Sequence, residues 1–413
     1  MNIIHLYFFV FFNQLLHIIG FAKKENNKSI GIFCLLNKPS FRLLDEQHDN
    51  NKTIFKFIKD ILDVEVKKDN VKKTKEILVF EESNAASKRK DYLNYVVYGD
   101  IDMDFIGRTQ LLYFDSNLEK ILFFLISVFN LPFLVLLSLK KQTIPGNLGL
   151  LHYQVIEIAN FLKHSNLNYQ KIHLFNMYEN DMNLLGYLLL KKNKPFIKHP
   201  SPGPLMAHNK WIVTDELAIE IPYQKEELMA LEFCSYNKLV DYLPENGHNY
   251  LELYKKGIDS PKGTIGFYSH AGWLRAKQKR QKTVFAKPEY EEKLLNWMNL
   301  YFKDKKSNQI VVFLHPKEMH EDVILETTNY YSSMLFNINY RISNTGEPNH
   351  NTFAEVEIAI SYYSTILFER LLCGFKSFCY VKGLKGFPIK QSSLDQICFN
   401  DFPELEHKIK DLI

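Results

Sequence analysis

Cysteine is scarce and unpaired in this chain. Cys34, Cys234, Cys373, Cys379 and Cys398 make an odd count of five with no Cys-x-x-Cys among them. That excludes a disulfide framework and a zinc ribbon, and it fits a reducing compartment. A dominant charge sign is missing too. Fifty-one Lys and Arg stand against 47 Asp and Glu, and the resulting +4 is scattered over segments such as Lys67-Lys68 and 277–282. Nucleic acid is therefore not expected as a partner. No internal repeat of fixed period is present. Residues 2–22 hold no charged side chain and lack both the basic start and the small-residue cleavage site of a signal peptide.

With 46% hydrophobic and 24% charged residues over 413 positions, the chain has the composition of two folded domains, each with its own core. Two apolar segments stand out, 2–22 and 121–139, the second bracketed by Lys120 and Lys140-Lys141. Each reads as a buried helix, a helix lying on a membrane surface, or a span of about 20 residues. His5, Asn13 and His17 interrupt the first, and Asn130-Leu131-Pro132 the second. A cytoplasmic protein with peripheral contact at the inner membrane face suits either segment.

Strand, loop and helix patterns alternate along most of the chain. Strands are expected over 29–36, 76–80, 95–98, 171–175 and 194–198, with helices over 52–63, 151–162 and 182–191. Further short strands are expected over 211–214 and 217–221, before a link rich in turn residues around Pro244, Gly257 and Pro261. A second run of strands follows at 265–268, 310–314, 336–342, 358–360 and 377–381, with helices at 290–302, from Ile366 onward, and over 404–413. The expectation is an α/β protein of two Rossmann-like domains facing across a cleft, divided as 1–255 and 262–413.

In such sheets ligands bind beyond the carboxyl ends of the strands. Three exits in the C-terminal half carry polar residues: Ser269-His270-Ala271-Gly272, His315-Pro316-Lys317, and Ser361-Tyr362-Tyr363-Ser364-Thr365. Gly272 allows close backbone approach, His315 and Lys317 can donate to phosphate oxygens, and Ser364 or Thr365 stands at a helix N-cap. Glu369 falls one turn further on the same side as Thr365. The combination suits a phosphate held at a helix start.

An acidic run, Asp100, Asp102 and Asp104, offers a rival metal-dependent site. It fails as a calcium loop, since Phe105 and Leu111 stand where Gly and Glu are required.

His315-Pro316 at a strand end, followed by a strand, Ser364-Thr365 and a helix with Glu369, resembles the donor half of GT-B-fold transferases. Two branches share the pattern: bacterial sialyltransferases using CMP-sialic acid, and teichoic-acid polymerases using CDP-glycerol or CDP-ribitol. The resemblance spans roughly 263–381. It implies a metal-independent glycosyltransferase with a nucleotide-sugar donor as substrate, no cofactor, and a surface-glycan or lipid-linked acceptor. His315, Ser364 and Thr365 would hold the nucleotide phosphate, with Ser269, Gly272, Pro316, Lys317 and Glu369 around them.

The N-terminal half departs from the sialyltransferase pattern, having no Asp/Glu-Asp/Glu-Gly segment to supply a base. Glu179 and Asp181 at the 171–175 strand exit are the nearest substitutes, with His270, His199 and Ser201 as alternatives. A CDP-polyol phosphotransferase and a non-catalytic glycan-binding protein of the same fold remain the competing readings.

Overall fold

The computed structural model describes residues 2–18, 61–67, 75–81, 93, 103–141, 153–167, 169–175, 180–199, 212–219, 222–230, 235–242, 247–257, 259–277, 287–305, 309–343, 350–384, 393–410 and 412. Two Rossmann-like units emerge. The first comprises Met1–Ser201, His208–Glu220 and Leu231–Tyr242; the second Pro202–Ala207, Ile221–Ala230 and Leu243–Ile413.

In the first unit the strands are β1 (Glu65–Val66), β2 (Ile77–Glu81), β3 (Met103–Gly107), β4 (Tyr113–Phe114), β5 (Lys171–Phe175), β6 (Phe196–His199), β7 (Val213–Ile219) and β8 (Ser235–Asp241). The main sheet runs β3-β2-β5-β6-β7-β8, all parallel, and β1 pairs with β4 apart from it. The helices are α1 (Ile3–Ile18), α2 (Asn117–Lys141), α3 (Tyr153–Ser165) and α4 (Asn180–Lys191). Alternate strand residues divide between two cores: Leu78, Phe80, Ile172 and Leu174 join the helices on one face, while Ile77, Val79, Met103 and Phe175 cluster on the other.

The apolar segment 2–22 is helical as far as Ile18, and Ile3, Leu6, Tyr7, Val10 and Phe11 are buried in this core. Tyr7 meets Phe123 of α2 edge-on at 5.5 Å. Pro132 does not end α2, which runs 25 residues through it. Among the described residues no helix is long and apolar enough to cross a membrane.

Asp104 lies within β3 rather than in a strand-exit turn, and its carboxylate accepts from the Lys75 N–H (3.2 Å) and the Tyr169 hydroxyl (2.9 Å). The two strands expected over 211–221 are the single β7. The strands expected over 29–36 and 95–98, and Asp102, lie outside the described residues.

The second unit contains α5 (Pro222–Ala230), α6 (Gly247–Lys256), β9 (Thr264–Tyr268), α7 (Gly272–Lys277), α8 (Pro288–Tyr301), β10 (Gln309–Phe313), α9 (Ile324–Met334), β11 (Tyr340–Ile342), β12 (Ile358–Ser361), α10 (Thr365–Leu372), β13 (Lys376–Tyr380), β14 (Cys398–Phe399) and α11 (Phe402–Ile409). Its parallel sheet runs β11-β10-β9-β12-β13-β14. Counted from β9, this is the doubly wound order 3-2-1-4-5-6.

Central strands covered on both faces need near-continuous apolar sequence, and β9 and β12 are buried at every residue. Ile265, Phe267, Ile310, Val312, Ile358 and Ile360 pack beneath α8, α9 and α11. Tyr268, Val311, Phe313 and Ala359 face α10 through Leu367 and Phe368. The chain reverses its winding between β9 and β12, which fixes where a crevice opens at the strand ends.

Candidate active site

Register brings the polar exits to one edge. Phe313 pairs with Tyr268, and Ile360 with Phe267, so the residues after β9, β10 and β12 leave the sheet at nearly one level. Two of these exits are locked by buried carboxylates. Glu291, in the first turn of α8, is 1% exposed and accepts from the backbone N–H of His270 (3.0 Å) and of Gly272 (2.7 Å). Ala271 between them has φ +57°; its own N–H donates to the Ser269 hydroxyl oxygen, and the N–H groups on either side of it turn toward the one carboxylate. Gly272 does admit a close approach, but of Glu291: a Cβ there would lie 2.3 Å from its Oε2.

Glu318 does the same for the next exit. After β10 the chain makes a 3₁₀ turn over Pro316–Glu318, with Pro316 at its first position and the His315 Nδ1 accepting from the Lys317 N–H (3.1 Å). The Glu318 carboxylate, fully buried, accepts from the His315 N–H (2.9 Å), the Trp273 indole N–H (2.6 Å) and the Tyr331 hydroxyl (3.1 Å).

These loops present His270 and His315, both half-buried, beside Arg275 and Lys317. Burial, with the charges of Arg275 and Lys317, pushes His270 down to about 3 and His315 down to about 4; His315 adds to the effect on His270. Both imidazoles are therefore neutral near pH 7 in a positive field. An arriving anion would cancel that field and raise both values, so each ring can donate an N–H and take up a proton as negative charge grows.

At the third exit, the Ser361 hydroxyl donates to the Tyr268 carbonyl (2.5 Å), and Tyr363 turns the chain with φ +48°. Ser364 is the N-cap of α10 in extended conformation, and its side chain makes no capping hydrogen bond; Thr365 is exposed. Glu369 accepts from the Tyr250 hydroxyl of α6 at 2.6 Å.

Of the expected site residues, Ser269, His270, Gly272, His315, Pro316 and Lys317 come together at adjacent exits. Ser364 and Thr365 stand at the exit of β12, on the other side of β9. Glu179 lies outside the described residues, and Asp181 is in the first turn of α4 with its side chain outside them. His199 is fully buried, its Nε2 2.8 Å from Nδ1 of the equally buried His173, and it stacks on Phe175 with ring centroids 4.4 Å apart. Ser201 lies outside the described residues. Among those residues, no group of three or more His, Cys, Asp or Glu side chains could hold a metal ion.

Sequence reading missed Glu291 and Arg275 and gave Glu318 no role. Nothing in the first turn of α8 separates Glu291 from Glu289, which suits a helix start equally well. Arg275 follows Trp273-Leu274 with no motif around it.

No family model matches the chain, and no curated protein matches it. Among solved structures, it is similar to a glycosyltransferase from Rickettsia africae (13% identity, 82% of this chain, 88% of that one, TM-score 0.39). It is also similar to MurG of Acinetobacter baumannii (11%, 82% and 90%, 0.42). A third likeness is to the wall teichoic acid polymerase TagF (13%, 89% and 89%, 0.38).

Proposed function

We propose that this chain is a glycosyltransferase that seats the phosphate of a nucleotide-activated sugar at the strand ends of its second unit. The acceptor is a hydroxyl of a bacterial surface glycan. One observation carries this reading: His270, His315, Arg275 and Lys317 gather at the exits of β9 and β10, next to the switch point of a doubly wound sheet.

The chemistry follows from charge. As the glycosidic bond to the nucleotide breaks, negative charge builds on the leaving phosphate, and fixed cations and N–H donors lower the barrier by meeting it there. Arg275 and Lys317 supply the charge. His270 and His315 supply N–H groups, and the start of α10 with Ser364 and Thr365 supplies donors from across β9. The anomeric carbon, left short of electrons, is attacked by the acceptor hydroxyl, with a carboxylate, Glu179 or Asp181, as the proposed base. Side-chain cations serve the phosphate in this scheme, so turnover is expected to persist in the presence of a chelator, and loss with chelator would overturn this part of the scheme.

The cytidine-linked donor rests on the resemblance of His315-Pro316 and Ser364-Thr365 to the two cytidine-using branches. Peripheral contact with the inner membrane face is proposed through α2, where Leu118, Ile121, Leu122, Leu125 and Phe129 form an exposed stripe.

The test is thermal stabilisation by CMP, CDP, UDP and GDP at matched concentration, on the wild type and on His315→Ala. A nucleotide at about 100 times its Kd adds about 2.7 kcal/mol to the folded state. A cytidine-selective shift is expected, with the affinity of the variant weaker by roughly 10- to 100-fold and its shift correspondingly smaller, the size of a lost hydrogen bond to a charged group. No shift with any nucleotide in a folded sample would overturn the reading.

A further inference from the structure

Behind the two histidines, the carboxylates of Glu291 and Glu318 converge on the Ser269 hydroxyl. Ser269 Oγ lies 3.2 Å from Glu291 Oε1, accepts from the Ala271 N–H (2.9 Å), and also makes contacts with Glu318 and Tyr331. Tyr331 in turn reaches Glu318 at 3.1 Å. Two hydroxyls thus bring two hydrogens to four contacts. A proton on one carboxyl supplies a third, and it removes the repulsion of two buried like charges.

We propose that Glu291 and Glu318 hold one proton between them across Ser269 and act as positioning residues. The singly protonated pair keeps the 269–272 and 315–318 loops in place, and with them His270 and His315. Loss of the proton leaves two carboxylates repelling through one hydroxyl and loosens both loops. The role of those loops as an anion seat rests on the function proposed above; the shared proton does not.

The surroundings favour a retained proton. Tyr330 and Tyr331 of α9 face the pair, both pushed above the ordinary tyrosine value, chiefly by burial, and hence neutral. His270, Arg275, His315 and Lys317 stand on the loop side. Burial first, and the Glu318 charge second, push the Glu291 carboxyl up to about 7; Glu318 is also raised.

Infrared pH-difference spectroscopy of the full chain reads the proton directly. The band of a protonated carboxylic acid should persist to about pH 6 and vanish by about pH 8.5, beyond the ordinary carboxylate range. It should be absent in Glu291→Gln. Should that variant fail to fold, Glu318→Gln removes the neighbouring charge and should lower the band's midpoint by about one pH unit or more.

Sulfate, doubly charged throughout this range, then reports the seat. Its affinity should fall about tenfold between about pH 6 and pH 8.5 in the wild type, and stay nearly flat with pH in Glu291→Gln, which has no second carboxylate to ionise. Carboxyl bands that all titrate in the ordinary range would overturn the proposal, as would a midpoint unmoved by Glu318→Gln. A band titrating near neutrality in a chain that binds no nucleotide would leave the proton pair standing and remove the transferase.

Discussion

A methyl group on Gly272 would sit 2.3 Å from a Glu291 carboxylate oxygen and 3.2 Å from the Pro288 Cα, with the 269–272 loop on one side and the α8 backbone on the other. Gly272→Ala is therefore expected to cost about 1–3 kcal/mol in a denaturant titration, as overpacking does. It should also weaken anion binding, because His270 is two residues away. Glu291 gives a pH signature of its own. Its carboxyl is raised from 4.5 to about 7, so between those values the folded chain holds a proton that the unfolded chain has released. Stability from this group is full below about pH 4.5 and is lost as pH climbs to about 7, a change of roughly 3 kcal/mol. Glu291→Gln should lack that slope, and unfolding free energies at about pH 5 and 7 for both proteins would check it. His270 and His315 slope the other way, since neutral rings held below their usual value lose stability on acidification below about pH 6.5. At this scale His315 and Lys317 were legible because they follow an apolar strand, whereas Glu291 was not, because its environment is made by a loop 19 to 21 residues away in sequence.

Among the elements, α10 adds to its apolar packing one buried polar tie of its own. Arg370 is fully buried, with Nη1 donating to the Phe353 carbonyl (2.5 Å), Nη2 to the Val356 carbonyl (3.0 Å), and its guanidinium 4.9 Å from the Phe375 ring centre. It ties the helix carrying Ser364 and Thr365 to the 3₁₀ turn His350–Glu355 that leads into β12. Arg370→Met keeps much of the volume but leaves two buried carbonyls without these donors, and about 3 kcal/mol of stability should be lost. A buried arginine held by carbonyls leaves no trace in sequence, where Arg370 reads as a basic residue in a helix's last turn. Strand positions are different. The runs at 265–268, 310–314 and 358–360 were readable because parallel central strands must be apolar on both faces. Asp104 escaped because a partly buried face in β3 tolerates an acid that Tyr169 and Lys75 satisfy.

At the scale of the whole molecule, the exposed stripe on α2 sets a prediction. Leu125 is 56% and Phe129 85% exposed, on a helix whose other side buries Phe123. The chain should float with anionic lipid vesicles, and Leu125→Asp with Phe129→Asp should remain behind, since each apolar side chain is worth about 1.5–3 kcal/mol when buried. Recovery of the wild type away from the vesicles would remove the membrane proposal.

Composition and periodicity by themselves determined an α/β chain with two cores and polar strand exits in its C-terminal half, because those features are set by residues adjacent in sequence. Tertiary structure decided the rest. It placed Ile3, Leu6, Tyr7, Val10 and Phe11 in a core, returned α5 to the second unit, and reversed the winding at β9. It also brought Glu291 and Glu318 beneath the histidines. Each of these depends on contacts between distant residues, where burial and a neighbouring charge, rather than residue type, set what a side chain does.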